Sequence, residues 1–475
     1  MTVLIHGGTV VTAADSYPAD VLIEGERIAA IGRDLTAGGA TRVDARGLYV
    51  LPGGVDVHTH LELPLGGTVS SDDFYSGHKA AAFGGTTTHL DFAIQGRGES
   101  LLAALAAWHA RAEGKAVIDY GFHMAVTDVN SGTLDELPDL AAAGVPSLKL
   151  LMAYKGTVMV DDAALLLTLQ RAAALGLLTM VHAENGEAID TLVRQALAAG
   201  QRSPEWHART RPHWAEAEAT LRAIALAAMA GAPLYVVHMT CASALAQLRY
   251  GRARGLPVMG ETCTQYLFFT ADDLARPDFE GAKWVCSPPF RTADDQAALW
   301  QALADGTLQA VSTDHCPFFF DGGRAIEYEG RPVRIPGKEL GRADFTRIPN
   351  GVPGIAERLL LLWGAGVAGG RLSPSRFVAL TATQPAQIFG LYPRKGVLAP
   401  GSDADVVLWD PQRPRRLSAA GLHQRTDYSL YEGREVPGGP VQVYRRGELL
   451  VDGERWLGAP GSGRFLPRAP GAPVL

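Results

Sequence analysis

Two histidines two residues apart, His58 and His60, follow the short apolar run at residues 55–57. Side chains at i and i+2 of a strand share a face. The pair can therefore offer two neutral imidazoles to one borderline divalent cation such as zinc. Alone, the pair is a weak signal, since two nearby histidines are more often ordinary polar residues than ligands. Four more residues of ligand type stand in matching contexts: Lys149 within Ser147-Leu148-Lys149-Leu150, His182 after residues 178–181, His238 after Tyr235-Val236-Val237, and Asp314 after Val311-Ser312-Thr313. A lone His or Asp at a strand end is commonly a hydrogen-bonded core or loop residue. Five strand ends carrying ligand-type residues in one register point instead to a metal centre. Lys149, set among leucines, is costly to bury as an ammonium. Either a carboxylate pairs with it, or its neutral amine has captured carbon dioxide as a carbamate whose oxygens could bridge two cations. Spacing does not decide between the two.

Such residues need a frame that gathers strand ends on one face. Eight apolar runs of strand length, at 55–57, 86–91, 117–123, 147–150, 178–181, 234–237, 257–261 and 309–312, alternate with Ala/Leu-rich helical stretches, the pattern of successive βα units. Eight units predict a TIM-type (β/α)8 barrel, whose active sites lie at the C-terminal ends of its strands. No Gly-rich nucleotide fingerprint follows the first run, which argues against an open doubly wound sheet. Short β-type runs punctuated by glycine occupy 3–5, 9–12, 20–23 and 27–31, and the same texture returns at 405–409, 441–444 and 448–451. Both ends should therefore build one smaller β-sandwich domain. The expected limits are 1–52 and 396–456 for the two parts of that domain and 53–395 for the barrel. A Gly/Pro-rich tail, 457–475, should be either disordered or an arm laid on a neighbouring subunit.

Composition narrows the partners. At 475 residues, 47% hydrophobic and 20% charged, with a net charge of −7, the chain is ordinarily globular. It has no basic cluster suited to nucleic acid. The start lacks the features of a signal peptide. The one membrane-like stretch, 223–237, is broken by Gly231-Ala232-Pro233 into a helix end and a buried strand, so no membrane association is expected. Four widely spaced cysteines, Cys241, Cys263, Cys286 and Cys316, read as reduced cytosolic thiols. Other polar residues receive plainer assignments. His315 points to the opposite face from Asp314 and either supports a ligand from behind or is structural, while Asp72, Asp73 and Glu184 are more commonly solvated loop charges than partners of a ligand imidazole. His78, His89, His109, His123, His207, His213 and His423 are structural or surface residues.

Several longer motifs carry a resemblance: VDVHTHLELPLGGTVSSDDF, AAFGGTTTHLDF, LKLLMAYKG, VHAENG, VHMTCASAL, CSPPFR, STDHCPF and DFTRIPNGVPGIAERL. Through these the chain resembles the dihydropyrimidinase and D-hydantoinase family of cyclic amidohydrolases, from the first barrel strand to Gly453. The resemblance implies a cytoplasmic homotetramer and two divalent metals per chain, usually zinc. His58, His60, Asp314 and a carboxylated Lys149 would hold one metal; Lys149, His182 and His238 would hold the other. It further implies that the two cations acidify a shared water to hydroxide. Asp314 would serve as base and then acid, Tyr154 would stabilise the oxyanion, and Ser287 and Asn350 would bind the ring's ureido edge, largely through main-chain groups. The plainer readings are a packed loop aromatic for Tyr154 and turn residues for Ser287 and Asn350.

The implied reaction is hydrolysis of 5,6-dihydropyrimidines or 5-substituted hydantoins to N-carbamoyl amino acids. Dihydroorotases typically place an arginine two residues after the second histidine, where this chain has Glu62; an uncharged ring is therefore expected. Allantoinase- and dihydroorotase-like enzymes are the rival readings. Leu65, Met152 and Met159 should line the pocket for the exocyclic substituent. A non-catalytic scaffold relative is the remaining alternative, but such relatives have lost metal ligands and here all six positions are kept.

Overall fold

In the computed structural model, which describes residues 2–472, the two ends of the chain meet in one nine-stranded sheet. The strand Val406–Asp410 pairs antiparallel with Tyr49–Pro52, so the C-terminal strands join directly onto the N-terminal ones. The runs at 3–5 and 9–12 are a single strand, Thr2–Val11, whose register shifts between Ile5 and Gly8. Gly7 takes a left-handed φ of 75° there, the freedom a bulge requires. The two halves of this strand have different parallel neighbours, Thr41–Asp44 and then Tyr49–Pro52. Val3, Ile5, Val21 and Ile23 from one end and Val406, Leu408 and Tyr444 from the other share one core, so neither end could bury its apolar face alone.

The barrel strands are Gly54–Thr59, Thr86–Ile94, Asp119–Ala125, Ser147–Leu151, Leu178–His182, Leu234–Val236, Val258–Cys263 and Ala310–Ser312, paired in sequence order and parallel throughout. They are buried along nearly their whole lengths, as strands covered on both faces must be. The seam between first and last strands is closed by side chains. Asp56 accepts from the Thr313 hydroxyl at 2.7 Å, and the buried Arg358 guanidinium donates to the carbonyls of Val55 and Val311 at 3.1 and 3.0 Å. These bonds occupy carbonyls that a full ladder would otherwise satisfy. At the upper end the His60 amide donates to the His315 carbonyl at 2.8 Å. The stretch at 223–237 divides as expected: the helix His213–Ala230 stops at Gly231 with φ 63°, and Leu234–Val236 is a barrel strand. Among the described residues no helix is long and apolar enough to cross a membrane, and the four cysteines are free and buried.

The tail departs from expectation. Residues 457–472 lie along the chain's own barrel, with Tyr120 pairing across to Phe465. Leu466 is fully buried in the apolar cluster that fills the barrel, beside Leu90, Met180 and Phe389. Arg468 donates to the carbonyls of Phe389 and Phe122 and to Ser147 Oγ. Gly and Pro enrichment suits this path: a side chain at Gly463 or Gly471 would collide with the Ile118 or Ile388 carbonyl, so glycine permits backbone-to-backbone approach. Met1 and residues 473–475, the end of the expected tail, lie outside the described residues.

Candidate active site

All nine residues singled out in the sequence, His58, His60, Lys149, Tyr154, His182, His238, Ser287, Asp314 and Asn350, line one cavity of about 610 Å³. The strands explain the convergence. His58 is the penultimate residue of the first strand and His60 follows it, Lys149 lies mid-strand in the fourth, His182 ends the fifth, and His238 and Asp314 each stand two residues beyond the sixth and eighth. The last two, and Tyr154, adopt left-handed backbone with φ of 38°, 49° and 69°. Non-glycine residues are held in this region only where the surroundings over-determine them, as at functional sites.

Three ligand-type atoms form a compact set. Asp314 Oδ1 lies 3.1 Å from His58 Nε2 and 3.0 Å from His60 Nε2, and the trio offers ligand atoms all within 4.8 Å of one another. Burial alone would raise the Asp314 carboxyl, but the two imidazoles outweigh it and hold the group well below the usual carboxylate range. Burial would likewise lower His58, yet Asp314 and Glu261 lift it to about 8. Beside this trio, His182 Nδ1 and His238 Nε2 converge to 2.9 Å, and the His58 and His238 rings lie 5.5 Å apart. Burial drives His238 well below its ordinary value, so it stays neutral with a lone pair free for a cation.

Lys149 is the residue for which the sequence left two alternatives open. It is 4% exposed, and among the described residues its amine forms no hydrogen bond or ion pair; the amine lies 4.9 Å from the centroid of the Phe92 ring. No carboxylate among those residues lies within ion-pair distance of it, although Asp314 and Glu261 are near enough to favour the charged amine. Burial lowers the amine to about 8, toward the neutral form that carbamate formation consumes. His60 Nδ1 and His238 Nδ1 are buried polar atoms without partners, which is costly in a finished hydrogen-bond network. Four imidazoles, a buried carboxylate and a lysine without a hydrogen-bonded partner suit a pair of borderline divalent cations, so the donor set fits the expected metals.

Supporting residues were partly missed by sequence reasoning. Glu261, in the seventh strand, places Oε1 2.6 Å from His58 Nδ1 and Oε2 3.1 Å from the Tyr235 hydroxyl. An acid inside an apolar strand was the available signal, since such residues are almost never buried unpaired. Glu184 is no solvated loop charge: it is buried, with Oε2 2.8 Å from His182 Nε2. That bond leaves His182 Nδ1 for the cavity. Asp72 and Asp73 are buried too. Asp72 meets His315 Nε2 at 3.0 Å, and Asp73 caps the helix Phe74–Phe83. His315 is structural, as expected. Phe92 underlies the site, with ring centroids 4.7 Å from His58 and 5.1 Å from His60.

The substituent pocket is also corrected. Leu65 lines the cavity, but Leu151, Thr157 and Val158 take the places expected of Met152 and Met159. Strand parity turns Leu151 inward with Lys149 and sends Met152 into the surrounding core. Met159 packs against Gly186. Glu62 lies outside the cavity lining and is paired with Lys115 at 2.7 Å.

With this geometry in view, comparison with known proteins places the chain. Residues 49–450 match the family model described as the amidohydrolase family. The chain is 51% identical to a D-hydantoinase of Streptomyces coelicolor, covering 98% of each chain. It is 48% identical to a D-hydantoinase of Geobacillus stearothermophilus, covering 99% of this chain and 97% of the other. The crystal structure of dihydropyrimidinase from Brevibacillus agri superposes with a TM-score of 0.95 at 50% identity, over 99% of this chain and 100% of the other. The chain therefore belongs to the amidohydrolase family, among the D-hydantoinases and dihydropyrimidinases.

Proposed function

We propose that this protein is a metal-dependent hydrolase that opens the cyclic amide of 5,6-dihydropyrimidines or 5-substituted hydantoins to N-carbamoyl amino acids. The observation that carries the reading is the gathering of four histidines, Asp314 and the unpartnered Lys149 around one cavity, in a chain this similar to D-hydantoinases. His58, His60, Asp314 and Lys149 would hold one zinc ion, and Lys149, His182 and His238 the second, with a carbon dioxide-derived carbamate on Lys149 shared between them. When bound, such a metal pair acidifies water and polarises the scissile carbonyl.

The chain's own groups supply the remainder. Asp314, kept anionic by His58 and His60, can accept a proton and return it to the departing ring nitrogen. Burial lifts the Tyr154 hydroxyl to about 12; it stays protonated at neutral pH and can donate to a developing oxyanion. Ser287 and Asn350 would hold the ureido edge. Leu63, Leu65, Val158 and Ile348 give the cavity an apolar wall suited to an uncharged ring with an apolar substituent. A dihydroorotase-like enzyme would need a buried cation for the substrate carboxylate, whereas the cavity's one arginine, Arg347, is exposed. A cytoplasmic homotetramer, and domain limits at residues 52, 395 and 456, complete the reading.

The test is turnover of dihydrouracil, hydantoin, 5-phenylhydantoin, allantoin and dihydroorotate by one preparation whose metal content is measured. Hydrolysis of the first three with about two metals per chain, lost on chelation and restored by zinc, is expected. Hydrolysis of allantoin or dihydroorotate alone would overturn the substrate assignment, and a metal-free inactive protein would favour a scaffold role.

A further inference from the structure

Segments 285–288 and 349–351 contribute to one wall of the cavity, and half of their main-chain groups are already committed. The Val285 carbonyl accepts from Lys338 Nζ at 2.9 Å and from the Gly351 amide at 3.1 Å. The Cys286 carbonyl accepts from His207 Nε2 at 2.9 Å, the Pro288 carbonyl from the Tyr266 hydroxyl at 2.8 Å, and the Pro349 carbonyl from Lys338 Nζ at 3.2 Å. Among the described residues, the main-chain N–H and C=O of Ser287 and Asn350 have no protein partner. The wall thus exposes main-chain donors and acceptors at Ser287 and Asn350, two of its residues that line the cavity.

Lys338 is the side chain common to both segments, and its position is otherwise hard to account for. It is completely buried, and among the described residues it forms no ion pair, its acceptors being the two neutral carbonyls. A buried ammonium with neutral partners is expensive, and a methionine would fill similar space without that cost. Its backbone is fixed from below: the Lys338 amide donates to the Phe319 carbonyl at 2.8 Å, and a side chain at Gly337 would collide with that same carbonyl. Burial pulls the amine down to about 7, and either protonation state keeps at least two N–H donors for the two carbonyls.

We propose that Lys338 is a positioning residue for substrate: by tying the Val285 and Pro349 carbonyls together it holds Ser287 and Asn350 so that their free main-chain groups match the alternating N–H and C=O edge of a cyclic ureide. This rests on the cyclic-ureide reading above. His207 assists from the other side. Burial keeps it neutral, and its Nδ1 lies 3.2 Å from Arg211 Nη1, so Nε2 carries the proton given to the Cys286 carbonyl. Of that edge only the departing ring nitrogen reacts; the second ring N–H and the carbonyl between the two nitrogens pass through the reaction unchanged, so most of this binding is uniform between ground and transition states, and losing it should appear in KM more than in kcat.

The test uses metal-loaded, full-length Lys338→Met and Lys338→Gln beside the parent, with kcat and KM for dihydrouracil and hydantoin, metal content, and hydrogen exchange of segments 285–288 and 349–352. Lys338→Met should raise KM about tenfold or more with kcat within about threefold, at parental metal content and with faster exchange in both segments. Lys338→Gln, which keeps an N–H donor on a shorter stem, should fall between. A parental KM in folded, metal-loaded Lys338→Met, or a loss confined to kcat, overturns the proposal. If Lys338→Met does not fold, Lys338→Gln decides by the same criteria. A parent that binds metal but hydrolyses no cyclic ureide defeats the functional reading itself, a result separable from a variant that merely keeps its KM.

Discussion

Glu261 offers the sharpest perturbation of the proposed metal centre that leaves every proposed ligand in place. Its Oε1 accepts from His58 Nδ1 at 2.6 Å, and both side chains are at most 1% exposed. The bond aims His58 Nε2 at the cavity and makes it more basic. A hydrogen bond to a charged group contributes about 1.5–3 kcal/mol and a neutral one about 0.5–1.5 kcal/mol. Glu261→Gln, which still offers a neutral acceptor, should therefore lose about 1–1.5 kcal/mol, roughly a tenfold weakening of metal affinity. Glu261→Ala removes the acceptor altogether and should approach a hundredfold loss, about 2.7 kcal/mol. Glu261 also accepts from Tyr235, so Tyr235→Phe separates the two roles: it should cost stability but leave zinc affinity within about threefold. The assay is competition of the metal-free proteins for zinc against a chelator of known affinity, with circular dichroism to establish folding. Parental affinity in folded Glu261→Ala would refute the reasoning, and so would a loss in Tyr235→Phe as large as in Glu261→Gln.

Three other outcomes follow from the same structure. Burial lowers Lys338 from its ordinary 10.5 to about 7, so across that interval the folded state binds fewer protons than the unfolded state and the group's contribution to stability rises with pH; the urea midpoint of the parent relative to Lys338→Met should climb between pH 7 and 9, and a flat or falling difference would count against it. Leu466 is fully buried in the barrel cluster, so Leu466→Ala should cost about 2–5 kcal/mol in urea unfolding, and a chain cut after Leu457 should be less stable still; parental midpoints in both would mean the tail does not pack in solution as described. Val158 lines the cavity, so Val158→Trp should raise KM for 5-phenylhydantoin about tenfold relative to unsubstituted hydantoin, and equal effects on both substrates would refute its placement.

The frame of this protein, and the candidate residues that line its cavity, were legible in the residue order, because both rest on short-range regularities. Alternation of apolar runs with helical stretches marks βα units, and ligand-type residues at the ends of several such runs fall on one barrel face whatever the loops do. Both ends of the chain carry the same strand texture, which announced a shared sheet before any pairing was known. What the residue order could not decide is which groups meet across the barrel. Lys149 among leucines is compatible with a carboxylate partner or with none, and only tertiary packing leaves it beside Phe92. Glu261 and His58 are 203 positions apart, and no local pattern ties one acid to one imidazole at that range. Glu184 and Asp72 looked like loop charges because burial of a loop depends on what packs over it. Met152 and Leu151 are both apolar neighbours at a strand end, and the strand's exact terminus decides which of them faces the cavity. The tail, rich in Gly and Pro, resembled a free arm by composition. Its path became defined only where the Ile118 and Ile388 carbonyls lay close enough that glycine alone could pass. Periodicity is a property of neighbours in the chain and survives in the sequence, whereas hydrogen-bond partnership and burial are properties of neighbours in space, set once the barrel has closed.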